Sequence, residues 1–216
     1  MCGRFVITHP NEAIAALFDA VPGSPRFNIC PTNPVAMVTA DGGRRLRTMR
    51  WGLIPSWYKA PNDGPLIINA RSDTVAEEPA FREAIRQRRC ILPVAGSYDW
   101  SAGPGGIRLP WYSTRRDGAP MAFGALYSHL GDIDTVARVT VARVTVAGGP
   151  NMAGIHDREP VILKPGDWPL WLGEAGHGAA LLLKPTAAGV LGAYRADVAV
   201  NSNRAHGAYL IAGISE

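Results

Sequence analysis

The chain has 216 residues, 47% of them hydrophobic and 19% charged, a composition of an ordinary globular protein large enough for one well-packed domain. Its longest apolar runs, such as 179–183, are far too short to span a bilayer, and no charged segment followed by an apolar core reads as a secretory signal. The net charge is +4 and the isoelectric point about 9.2, a basic excess that fits a polyanionic partner without requiring one.

Taken in chain order, Thr8 caps a short amphipathic helix through Ala13, Ile14, Leu17 and Phe18, with Pro10 in its first turn. The segment 21–32 carries four residues of the Pro and Gly type and is read as an irregular loop. Residues 35–40 and 44–51 read as strands meeting at Asp41-Gly42-Gly43, a hairpin signal. Residues 55–65 form another loop. The spacing of Phe81, Ala84 and Ile85 against Arg82, Arg86 and Arg89 predicts a helix over 79–89. Strands follow at 90–95 and 97–100, then a turn at 103–106 and strands at 111–114, 121–127 and 135–147. The last contains Val-Ala-Arg-Val-Thr twice in tandem, a local duplication too short to define a repeat architecture. Residues 167–172 read as a helical turn, and the C-terminal third ends in short apolar segments around Val198 and Leu210. Strands outnumber helices and βαβ alternation is absent. The expected class is therefore α+β, a single domain of mainly antiparallel, barrel-like sheet with a few short helices.

Three cysteines, Cys2, Cys30 and Cys90, are an odd number without metal-ligand spacing, which fits a reducing compartment, the cytoplasm, and no metal or other cofactor. Cys2 is the residue with the most chemistry. Removal of Met1 would leave it with an α-amine, reference pKa about 7.7–8, and a thiol, about 8.5, on adjacent carbons. An amine condenses with an aldehyde, and the neighbouring thiol can close on the imine carbon to give a thiazolidine. The same residue can also serve as an acyl-transfer nucleophile with its own amine as base, or be an ordinary buried cysteine.

Four polar constellations stand out. Asn69 and Arg71, after the apolar Ile67-Ile68, set an amide and a guanidinium at a strand mouth, to hold an amine or a sugar oxygen and a phosphate, or simply to make an Asx-turn and a surface charge. Asp99, between Tyr98 and Trp100, is a carboxylate liable to desolvation and suited to proton transfer, or else the outward residue of a half-buried strand. His156-Asp157-Arg158-Glu159 leads into an apolar strand, and a histidine there is a natural proton shuttle. In 51–59, Trp57 and Tyr58 lie in the loop and suit stacking on unpaired bases or blocking a duplex, whereas Trp51 reads as core.

Cys2-Gly3-Arg4-Phe5, Arg26-Phe27-Asn28-Ile29-Cys30-Pro31-Thr32, Trp51-Gly52-Leu53-Ile54-Pro55, Asn69-Ala70-Arg71, Asp99-Trp100 and His156-Asp157-Arg158 together resemble the SRAP (SOS response-associated peptidase) family of abasic-site processing proteins, over nearly the whole chain. The resemblance implies covalent crosslinking of an N-terminal Cys2 to abasic sites in single-stranded DNA within the DNA damage response. It also implies lyase-type chemistry and an autopeptidase activity, although only Met1 precedes Cys2 here and an aminopeptidase would suffice. Carried over by position, Cys2 supplies amine and thiol, Asn69 positions the amine and the opened sugar, and His156 assists ring opening. Arg4, Arg71 and Arg158 grip phosphates, with Trp57 and Tyr58 blocking duplex on one side. One departure concerns the acid: the family carries Glu where this chain has Asp99, roughly 1.5 Å shorter in reach, and a misplacement of that size can cost about 10²-fold. Monomer is the expected state. The rival classes are an N-terminal-nucleophile hydrolase of the glutamine amidotransferase kind and a noncovalent DNA-binding module in which Cys2 is incidental.

Overall fold

The computed structural model describes residues 3–8, 24–142 and 155–214, with the side chains of 140–142 left aside. Cys2 and the helix expected through 13–18 lie outside the described residues. Thirteen strands are described. β1 (Arg4–Ile7), β2 (Arg26–Ile29), β7 (Gly96–Ala102), β8 (Arg108–Arg115) and β13 (Leu191–Arg195) form a five-stranded sheet in the order β13-β8-β7-β1-β2. β3 (Pro34–Thr39), β4 (Arg45–Trp51), β5 (Asn69–Arg71), β6 (Arg89–Val94), β9 (Met121–Leu130), β10 (Ile133–Ala142), β11 (Arg158–Pro160) and β12 (Ile162–Leu163) form the second sheet. The mostly antiparallel α+β class expected from the sequence is what the chain adopts.

The second sheet closes on itself. β4 pairs β3, β3 pairs β6, β6 pairs β9 and β9 pairs β10, all antiparallel, and β10 returns to β4 in parallel through Thr135↔Arg50 and Val136↔Trp51. A ring with an odd number of strands cannot alternate direction all the way round, so one parallel contact is obligatory. β10 supplies it. Antiparallel partners need only short turns, and both hairpins have them: Asp41-Gly42-Gly43 between β3 and β4, with positive φ at both glycines, and Gly131-Asp132 between β9 and β10. Parallel partners need a longer crossover.

Side chains alternate across these strands and divide the core. Met37, Met49, Trp51, Cys90, Leu92, Phe123, Tyr127 and Val136 point to one face and meet Phe5 and Ile29 from the first sheet. Val38, Ile91, Leu126, Ala137 and Val139 point to the other, where two short helices cover them. These are α1 (Ala84–Gln87) and α2 (Trp168–Leu172). The expected helix over 79–89 is reduced to α1, with 72–83 in turns and bends and Arg89 already in β6, although Phe81 and Ala84 do face inward and Arg82 and Arg86 outward as its periodicity required. α2 falls where a helical turn was expected and ends at Gly173 in the left-handed conformation. Short 3₁₀ turns at Val198–Asn201 and Ala208–Ile211 lay Val200 and Leu210 against Tyr98 and Tyr112. Among the described residues no helix is long and apolar enough to cross a membrane.

Trp171 of α2 is fully buried, donates its indole N–H to the Cys90 carbonyl at 2.9 Å, and lies over Gly124, where an added Cβ would come within 3.0 Å of its ring. Trp171→Ala is expected to cost about 3–5 kcal/mol, through lost burial and a stranded carbonyl. Urea unfolding checks this. A loss below about 1 kcal/mol would mean that α2 does not anchor this face of the core.

Candidate functional site

The site gathers on the second half of β10. Its first half is occupied by β9 and β4, and beyond them the strand continues with new partners. β5 lies parallel to it, with Arg138↔Asn69 and Thr140↔Arg71, and β11 lies antiparallel, with Thr140↔Pro160 and Ala142↔Arg158. Two of the sequence-predicted constellations, Asn69–Arg71 and His156–Arg158, are thereby set on opposite edges of one strand.

Asp73 joins the two edges. It accepts from Arg71 Nε at 3.2 Å and Nη2 at 2.6 Å, and from Arg158 Nη2 at 2.9 Å. The Arg71 bonds, helped by Arg158, hold its carboxyl well below the usual carboxylate range. The pair of guanidinia is thus assembled before any ligand arrives. Arg71 stands out in solvent with its side chain 56% exposed, and Arg158 is sunk to 11%.

His156 Nδ1 accepts the backbone N–H of Arg158 at 3.0 Å and lies 2.9 Å from the Asp157 carboxylate. The first contact requires a lone pair on Nδ1, so the neutral ring carries its proton on Nε2. A protonated ring trades the Arg158 N–H for the Asp157 carboxylate. The imidazole therefore has a partner in either charge state, which suits a group that gives and takes a proton.

Asp99 enters from the other sheet. It lies on β7 opposite Trp111 of β8 and is 1% exposed, a buried carboxylate rather than the outward residue of a half-buried strand. With Ser97 and Ser113 it lines a small cavity, about the size of one water molecule, whose far wall includes Pro160, the end of β11. Asp99 is thus brought to the strand that carries Arg158. β1 pairs β7 with Arg4↔Tyr98 and Phe5↔Ser97. Continued by one residue, that register sets Gly3, the first described residue of the chain, across from Asp99 on the face shared by Phe5 and Ser97.

The same alternation sends Arg4 to the opposite face, away from Asp99. Its guanidinium donates to the carbonyls of Val200, Ser202 (3.1 Å) and Asn201 (2.8 Å) and to Asn28 Oδ1 (3.1 Å), and it lies against Trp100. The structure does not bring Arg4 to Arg71 and Arg158. Its evident work is to hold the 3₁₀ turn at Val198–Asn201 to β1. Trp57 and Tyr58 occupy the crossover from β4 to β5. Their rings meet edge-on with centroids 6.2 Å apart, Trp57 is 57% exposed, and Asp63 pins the loop by accepting from the N–H groups of Lys59 and Ala60.

One buried charge at the site escaped the reading of the sequence. Arg138, in the first copy of the Val-Ala-Arg-Val-Thr duplication, is 1% exposed, donates from Nε to Asn69 Oδ1 at 2.6 Å, and lies with its guanidinium carbon 5.5 Å from the centre of the Trp51 ring. The available signal was its parity: two residues from the inward Val136, it is an arginine at a core position. Among the described residues no three His, Cys, Asp or Glu side chains gather as metal ligands.

The family profile for SOS response associated peptidase (SRAP) matches residues 1–203. The chain is 32% identical to the abasic site processing protein YoaM of Bacillus subtilis, aligned over 98% of this chain and 97% of that protein. It is 30% identical to the abasic site processing protein YedK of Escherichia coli, over 76% of each. A crystal structure of a Bacteroides thetaiotaomicron protein superposes with a TM-score of 0.83 over 99% of this chain and all of that one, at 21% identity, which speaks to the fold alone. A Bordetella bronchiseptica protein superposes with a TM-score of 0.72 at 25% identity, over 91% of this chain and all of its own. With a family match over most of its length and a full-length relative above 30% identity, the chain belongs to the SRAP family.

Proposed function

We propose that this protein processes abasic sites in DNA, and that it does so by trapping them covalently: with Met1 removed, Cys2 captures the aldehyde of the ring-opened deoxyribose in single-stranded DNA as a thiazolidine. The reading extends to this chain the function that its relatives' names carry. The observation that carries its chemical part is the register of β1 on β7, which leads Gly3, next to Cys2 in sequence, to the buried Asp99, beside the strand that follows His156 and begins with Arg158.

The neutral α-amine adds to the aldehyde carbon to give a carbinolamine. Loss of that hydroxyl as water gives the imine. The Sγ thiolate then adds to the imine carbon, the nitrogen takes up a proton, and the ring closes. The balance is one aldehyde and one cysteine to one thiazolidine and one water. Two proton movements need help, onto the departing oxygen and onto the nitrogen. His156, with Nε2–H in its neutral form, and Asp99, desolvated by its cavity, are the groups we assign to them. Arg71 and Arg158 grip the phosphates flanking the lesion, and the exposed Trp57 with Tyr58 blocks a second strand. Arg4 contributes by fixing β1. The protein acts as a monomer in the cytoplasm.

Incubation with a uracil-containing single strand pretreated with uracil glycosylase is expected to give a heat-resistant band on a denaturing gel. Cys2→Ala loses it, and the intact mass of the purified protein lacks Met1. Glutaminase activity without a crosslink would replace this reading with an N-terminal-nucleophile hydrolase, and salt-sensitive binding alone with a noncovalent module. Asp99→Ala is expected to slow crosslinking about 10²-fold and Asp99→Glu to preserve or speed it, read as single-turnover rates. Unchanged rates in both remove Asp99 from the mechanism. Arg71→Gln and Arg158→Gln are each expected to lower the slope of log affinity against log salt by about 0.7 for single strands. A slope equal to that of the parent would move the phosphate grip elsewhere.

A further inference from the structure

Asparagine amides look nearly alike either way round, and their direction has to come from the partners. Here the partner decides it. Arg138 Nε donates to the Asn69 side chain at 2.6 Å, and a guanidinium has five N–H donors and no acceptor, so only the amide oxygen can face it. The NH₂ group of Asn69 is therefore turned away from Arg138. Its nitrogen is buried and has no hydrogen-bond partner among the described residues. A donor aimed into a closed space without an acceptor is costly unless something arrives to accept from it.

Arg138 is an expensive way to hold a side chain if packing were all that was needed. It is 1% exposed, on the strand face that carries Val136, and methionine or leucine would fill the volume without desolvating a cation. The residues around it form a frame. The guanidinium lies over Trp51, Trp51 donates its indole N–H to the carbonyl of Ile68 at 3.2 Å, and Ile68 immediately precedes Asn69. Trp51 thus fixes the backbone at Asn69, and Arg138 fixes its amide. A charge-assisted bond to the amide oxygen also draws electrons from the nitrogen and sharpens its N–H as a donor.

We infer that Arg138 is a positioning residue that locks the amide of Asn69 with its NH₂ toward the reacting centre, so that Asn69 meets the substrate as a hydrogen-bond donor to an oxygen. Given the proposed aldehyde trap, on which this rests, that oxygen is the aldehyde oxygen and then the carbinolamine hydroxyl. An amide held the other way would present an acceptor, which suits an ammonium and not a carbonyl.

Arg138→Lys, which keeps the charge and loses the directed Nε–H, separates the lock from simple folding. Crosslinking at saturating DNA is expected to slow about 10–10²-fold, while affinity for the abasic strand, measured by anisotropy in a Cys2→Ala background, stays at its parent value. In an Asn69→Ala background Arg138→Lys is expected to add no further slowing, because the two act as one unit. Asn69→Asp keeps an acceptor for Arg138 but removes the donor, and is expected to be as slow as Asn69→Ala. A parent rate in Arg138→Lys or Asn69→Asp, or an equal slowing with Asn69 already removed, would overturn the inference. The lock is also read without any crosslink, from the side-chain ¹⁵NH₂ signals of Asn69, assigned by their loss in Asn69→Asp. They shift and exchange faster with solvent in Arg138→Lys if the amide is held by Arg138, and stay as they are if it is not. A parent protein that forms no crosslink would sink the aldehyde trap, while these signals still decide the role of Arg138.

Discussion

The constraint on which the rest depends is the closure of a five-stranded ring. Five antiparallel pairings cannot close, and the single parallel contact, β10 on β4, has two structural consequences. A parallel neighbour cannot be reached by a turn, so the connection from β4 to β10 runs over 52–132 and carries the loop of Trp57 and Tyr58, then β5, again parallel to β10, and β6 to β9. And β10, longer than its ring partners require, extends past them with both edges free for β5 and β11. The long connection carries the loop that stands out in solvent and β5 with Asn69 and Arg71, and the extension of β10 receives β5 and the strand of Arg158.

Buried charge is where this fold departs from a plain barrel. The face shared by the two sheets holds Trp51, Phe123 and Met37, yet it also carries Arg138 toward one side and Asp99 toward another. Each ion taken from water costs several kcal/mol before its partners are counted, and apolar residues of similar size would commonly be as stable or more so. Arg138 recovers part of that through Asn69 and the Trp51 ring. Residues that weaken a core and order a polar site are the signature of a surface shaped by chemistry rather than by folding.

Much of this was legible in the sequence. The β3–β4 hairpin followed from Asp41-Gly42-Gly43, since only glycine accepts the positive φ of that turn without strain, and β6 and β7 fall where strands were expected at 90–95 and 97–100. The candidate site residues could be named because polar side chains stood where apolar ones belonged. What could not be read was which of them meet. Arg4 stands only two residues from Cys2 in sequence, but which face of the strand its own side chain takes is told only by the pairing of β1 with β7, with Arg4↔Tyr98 on one face and Phe5↔Ser97 on the other. Arg138 was hidden for a related reason: in a run of Val, Ala, Arg, Val and Thr, sequence alone does not tell which face of the strand is covered. The helix over 79–89 was overestimated because its apolar spacing is real, but Phe81 satisfies it from the turns of 72–83 and only Ala84 from the helix itself.

The arginines show how a basic protein can be selective. Nineteen of its 22 basic residues are arginine, yet most of those seen here are already committed: Arg4 to carbonyls, Arg138 to an amide, Arg44, Arg47 and Arg115 to carboxylates. Arg71 and Arg158 are committed too, but to one exposed carboxylate that both share. An exposed ion pair is worth little in water, so Asp73 fixes the direction of the two guanidinia at small energetic cost to whatever anion displaces it. A phosphate offers more oxygens and more charge than a carboxylate and accepts from the same forked donors. On the proposed function, selectivity for one place on a strand comes from this forked pair sharing one exposed carboxylate close to Asn69 and His156, not from how many arginines the chain contains.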